Sequence, residues 1–109
     1  MSAIQRGDPV LYAVIDDASI GDNTVVAAVS GKKIRVHSLF LVTAGAVNVT
    51  FESSTGGPAL TGAMNFAANG GIVLPHNPTG WFETDSGDLL NFILSGATSV
   101  AGGLTYTLV

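Results

Sequence analysis

The residues whose types could carry chemistry gather in one stretch. Segment 75–90, PHNPTGWFETDSGDLL, holds His76, one of two histidines, the only tryptophan, Trp81, and three of the eight carboxylates, Glu83, Asp85 and Asp88. Nucleophilic catalysis needs a base beside the nucleophile and a third group to orient that base. Only His37 and His76 could be the base. His37 falls in mid-strand pattern between Arg35 and Leu39 and reads as a structural or interface residue. His76 lies between Pro75 and Pro78 in a loop, the kind of segment on which function concentrates, yet no Gly-x-Ser-x-Gly elbow exists to meet it. No catalytic residue is therefore expected.

A metal site wants ligands fixed at close spacing, such as His-x-His or the alternating oxygens of a calcium loop. Asp16 to Asn23 has the outline of such a loop, but Ala18 and Ile20 occupy positions where oxygen ligands should alternate. It reads as a solvated turn. The chain has no cysteine, which excludes a thiolate metal site, a cysteine nucleophile and a disulfide framework together. Phosphate cradles place glycines before a helix, whereas Gly56-Gly57, Gly70-Gly71 and Gly102-Gly103 each precede a strand pattern and read as turn residues. No cofactor or metal is expected.

Two short matches are read as chance. Arg6-Gly7-Asp8 spells a tripeptide recognised by adhesion receptors, with Pro9 immediately after it, and Asn48-Val49-Thr50 has the form of a glycosylation sequon in mid-strand. Trp81, Phe82 and Tyr106 could stack on a sugar ring, but large aromatics in a small β domain serve mainly as core. What remains as candidates for contact with a partner is Arg6, Asp8, His76, Asn77 and Trp81.

The elements that must position these residues follow from periodicity. Apolar residues recur with a period near two, in short runs separated by Gly, Asn, Asp, Ser and Pro. Strands are expected at 10–15, 24–29, 34–42, 47–52, 72–74, 80–84, 89–95 and 104–109, with a polar loop at 16–23 and turns at 30–32 and 85–88. The stretch 59–68 fits either a helix or a strand, and Gly62 favours strand because glycine is a poor interior helix residue. The strand from Ile34 to Val42 alternates Ile34, Val36, Ser38, Phe40 and Val42 against Arg35, His37, Leu39 and Leu41. It is apolar on both faces toward its end, so it must be covered on two sides, by a second sheet together with a neighbouring subunit or a loop. Eight or nine short strands in 109 residues predict an all-β fold, a single-domain antiparallel β-sandwich, jelly-roll-like, over 10–109 behind an N-terminal arm at 1–9.

Composition narrows the function. Charged residues make up 11% of the chain, against about 25% in an ordinary soluble domain. With 47% hydrophobic residues, a lone globule would lack the charge that keeps small proteins monomeric. Permanent association is expected, with copies of the chain or with a larger particle. Net charge is −4 and the one basic cluster is Lys32, Lys33 and Arg35, which argues against nucleic acid as a partner. No apolar run reaches the roughly 20 residues that span a bilayer, and MSAIQRGDPV lacks the order of a signal peptide. Cytosolic synthesis and no membrane contact are expected.

The runs VVAAVSGKKIRVHSLFLVTAGAVNVTFES, ALTGAMNFAANGGIVLP, GWFETDSGDLLNFILSGA and the closing GGLTYTLV together resemble a group of small β-sandwich virion proteins of tailed bacteriophages, over about Thr24 to Val109. The shared pattern is a valine-rich strand, a Gly-Lys-Lys turn, an apolar strand, a Val-x-Val-x-Phe strand, a Leu-Thr-Gly step, a Gly-Gly turn into a strand ending in Pro, and a terminal Leu-Thr-Tyr. The resemblance implies a non-enzymatic capsid decoration (cement) protein. Such a protein binds the major capsid protein on the outside of the head, commonly as a homotrimer, with an N-terminal arm, here Ser2 to Pro9, reaching the capsid. The alternative expectation is a tail- or fibre-associated receptor- or glycan-binding module, in which His76, Asn77, Trp81 and Glu83 line a shallow site.

Overall fold

A computed structural model describes residues 9–109. Arg6, Asp8 and most of the expected arm lie outside the described residues. Among the described residues nine strands form, β1 (Leu11–Asp17), β2 (Gly21–Val26), β3 (Ile34–Thr43), β4 (Val47–Ser53), β5 (Met64–Phe66), β6 (Gly71–Leu74), β7 (Phe82–Glu83), β8 (Leu90–Leu94) and β9 (Val100–Leu108). No helix occurs among the described residues. All pairings are antiparallel. One sheet runs β1-β9-β3-β6, with β7 also on β3, and the other runs β2-β8-β4-β5. With β7 set aside, eight strands are shared four to a sheet, and the last two insert between the first and third and between the second and fourth. That interleaving is the two-sheet jelly roll, and the fold is the β-sandwich expected.

The core lies between the sheets. Ile15, Ile34, Val36, Leu39, Leu41, Val100 and Leu104 face it from the first sheet, and Val47, Val49, Phe51, Leu90, Phe92 and Leu94 from the second, all buried. Val47, Val49 and Phe51 point one way as their alternation predicts. Phe51 sits at the centre, its ring 5.3 Å from that of Phe82 and 5.7 Å from that of Phe92, both tilted.

Several boundaries differ from the periodicity. The expected loop 16–23 shortens to residues 18–20, because Asp16 and Asp17 continue β1 opposite Ala101 and Val100, and Gly21 to Asn23 start β2 opposite Leu94 to Phe92. In 59–68 only Met64–Phe66 is strand, while Ala59 makes a lone bridge to Glu52 and Leu60 N–H donates to Phe51 O. The expected strand 80–84 reduces to Phe82 and Glu83.

Gly102-Gly103 lies inside β9 and makes no turn. A side chain at Gly102 would run into the Phe40 carbonyl, and one at Gly103 would occupy the place of the Tyr12 ring. These glycines serve close approach, of β3 to β9 and of an aromatic ring to the sheet.

The alternation in β3 also breaks. Val36 pairs with Tyr106 and Ser38 with Thr105, so His37 is the extra residue of a β-bulge. Ile34 and Val36 point into the core, but beyond the bulge Leu39, Leu41 and Thr43 do so instead, and Phe40 and Val42 turn outward. One inserted residue exchanges the two faces of everything after it.

Candidate interaction surface

The segment 75–81 is the excursion between β6 and β7, which lie end to end along the same side of β3. It closes over the bulge. Asn77 N–H donates to His37 O at 2.8 Å, and Trp81 N–H donates to Val36 O at 2.8 Å. The His37 ring, buried, has Nδ1 2.8 Å from Asn77 O and Nε2 2.8 Å from Thr107 Oγ1. A carbonyl only accepts, so Nδ1–H donates to it, and in the neutral ring Nε2 accepts the Thr107 hydroxyl. The exposed His76 ring stacks on His37 at 5.4 Å.

Several other polar groups of the segment are also spent on the chain itself. Trp81, 43% exposed, donates its indole N–H to Pro75 O at 2.9 Å. Asn77 Oδ1 accepts from the Thr79 N–H and hydroxyl. Glu83 accepts from Arg35 at 2.8 Å and from Lys33 at 3.4 Å, and the Arg35 hydrogen bond holds its carboxyl below the ordinary glutamate value. Asp88 accepts from Ser53 Oγ, which in turn accepts from Asp85 N–H, and this pins the turn 85–88 to the end of β4. The carboxylates of 75–90 therefore do turn and strand-end work and do not converge with His76. Two of the three cations in the basic cluster, Lys33 and Arg35, share the single Glu83 carboxylate.

Of the residues put forward from the sequence, the structure brings His76, Asn77 and Trp81 together as one clasp over His37. Arg6 and Asp8 lie outside the described residues. Among the described residues no three His, Asp or Glu side chains cluster as metal ligands. On the second sheet, Asn91 Nδ2 donates to Asp22 at 2.9 Å and to Glu52 at 2.7 Å, and Glu52 also accepts from Gly56 N–H. Asn91 Oδ1 is buried without a partner among the described residues.

The first sheet's outer face carries the feature that residue chemistry did not single out. Register aligns Val14, Gly103, Phe40 and Val73 in one row across four strands, with Asp16, Ala101, Val42 and Gly71 in the next and Tyr12, Thr105 and Ser38 on the other side. Val73 is 76% exposed, Val14 65%, Tyr12 57%, Val42 55% and Phe40 46%. Nothing in the described chain lies over them. An antiparallel sheet with one face in water ordinarily alternates apolar-in and polar-out. Here the polarity is inverted: the part of the outer face under the clasp carries Arg35, His37 and Thr107, and the open part carries five large apolar side chains, with Asp16, Ser38 and Thr105 beside them. The signal was present in the sequence, since 10–15 and 39–42 are apolar at both parities, but which residues faced out depended on the bulge.

Comparison with known proteins finds no matching family model, no matching curated protein and no matching solved structure.

Proposed function

We propose that the chain is a bacteriophage virion structural protein, a capsid decoration (cement) protein that binds the major capsid protein on the outside of the head as a homo-oligomer and stabilises it without catalysing a reaction. The observation that carries this reading is the inverted polarity of the first sheet's outer face in a chain with 11% charged residues. A protein that spends its working life in a symmetric lattice can hide such a face in contacts and has no need of a charged coat. The sequence resemblance supplies the kind of lattice. Many weak contacts repeated over a particle then give strong attachment through multivalency.

The Trp81 indole N–H and Asn77 Oδ1 are held within the chain, by Pro75 O and Thr79, which favours a structural role for segment 75–81 over a ligand site and weighs against the tail-module alternative. Electron microscopy of virions carrying a labelled copy tests the proposal. Label over the whole head supports decoration, label at the tail tip supports the receptor- or glycan-binding reading, and absence from purified virions overturns both.

A further inference from the structure

We infer that the open half of the first sheet's outer face, centred on Val14, Phe40, Val42 and Val73 with Tyr12 at its margin, is the surface through which copies of this chain meet one another. The inference rests on the reading of the protein as a homo-oligomer and goes beyond it by assigning the surface. Three observations converge on a second copy as the occupant.

The first is the inversion itself. Where the chain covers this sheet with its own clasp, the covered side chains are polar and hydrogen-bonded, as with His37 to Asn77 O and Thr107. Where it does not, five large apolar side chains stand in register across β1, β3 and β6. A face so arranged is built for cover that the described chain does not supply.

The second is charge. In a closed homo-oligomer the residues nearest the symmetry axis meet their own equivalents, whatever the order of the axis, so a charge there faces itself. The rows through Val14 and Val42 contain no charged residue except Asp16 at the rim, although the chain carries a net charge of −4. The basic cluster and Glu83 sit at the opposite end of β3.

The third is extent. The exposed parts of these five residues amount to roughly 500 Å², more than half of the ~800 Å² that each partner contributes to a stable interface of standard size. The Tyr12 ring, lying over Gly103, fills the groove that a side-chain-free position leaves and smooths the face between β1 and β3.

The test is the oligomeric state of the full chain, by sedimentation equilibrium across a concentration series, compared with Val14→Lys/Val73→Lys. Both valines are more than half exposed, so the double variant keeps the fold, checked by an unchanged far-ultraviolet spectrum and a cooperative melt. The expected result is a fixed oligomer for the wild type and at least a 100-fold weaker association for the variant. A Lys32→Glu control at the far end of the sheet should associate as the wild type does. Wild type that stays monomeric, or an oligomer that Val14→Lys/Val73→Lys leaves intact, overturns the inference. Binding to purified heads keeps the two readings separate. A monomeric wild type that binds heads, and loses them on Val14→Lys/Val73→Lys, assigns the face to the capsid; it overturns this inference and leaves the decoration function standing.

Discussion

Valine to threonine is the same small change wherever it is made, which makes β3 a ruler for its own bulge. Uniform alternation from Ile34 to Val42 puts Val36 and Val42 on one face. The bulge at His37 puts them on opposite faces, with Val36 fully buried and Val42 55% exposed. Val36→Thr removes a methyl group from a close-packed site and buries a hydroxyl, which costs about 1–3 kcal/mol. At Val42 the hydroxyl stays in water, and the change should lie within about 0.5 kcal/mol. The difference, about 0.5–3 kcal/mol, is measurable against the roughly 5–15 kcal/mol that holds a domain together. It corresponds to a shift in Tm of about 4–8 °C for each kcal/mol in a domain of this size.

Urea denaturation with an unchanged m-value measures it, read at several protein concentrations because Val42 lies on the proposed contact. Its concentration-independent part belongs to the single chain. Equal costs at the two positions, or a larger one at Val42, would refute the bulge and with it the assignment of the outer face.

Other outcomes follow from the same packing. Phe51→Ala and Phe92→Ala, each removing a fully buried ring from the centre of the sandwich, should each cost about 3–5 kcal/mol, and the pair should be non-additive because the two rings touch. Gly102→Ala places a methyl group against the Phe40 carbonyl and Leu41 Cα, forces β9 away from β3, and should cost about 1–3 kcal/mol in thermal or urea unfolding. For Glu83 the folded-state value is depressed, so the stability it contributes is present above the ordinary glutamate value and is lost as the pH falls through the folded one. Glu83→Gln should therefore cost under about 1 kcal/mol at neutral pH, the pair being partly exposed. The difference from wild type should vanish in acid, and a variant whose deficit grew on acidification would contradict the ion pair.

The all-β class, the strand count and the central place of Phe51 were legible in the sequence because a period of two is a local property. Val47, Val49 and Phe51 need only their own spacing to share a face. So was the scaffolding role of the turn 85–88, since Asp, Ser and Gly in succession turn a chain wherever they stand. The low charge raises the expectation of association, without saying through which surface.

The tertiary structure alone decided the rest, in each case through a partner distant in sequence. His37 became a bulge because the clasp 75–81, some forty residues on, holds its carbonyl and ring from one side, while β9 sets the register from the other. Gly102 and Gly103 have turn composition, but the approach of β3 and the Tyr12 ring makes them strand residues. The bulge then determined which half of an evenly apolar strand entered the core. A periodic pattern specifies two faces without saying which is inside, and only pairing with other strands makes that choice, so Phe40 and Val42 became surface while Leu39 and Leu41 became core.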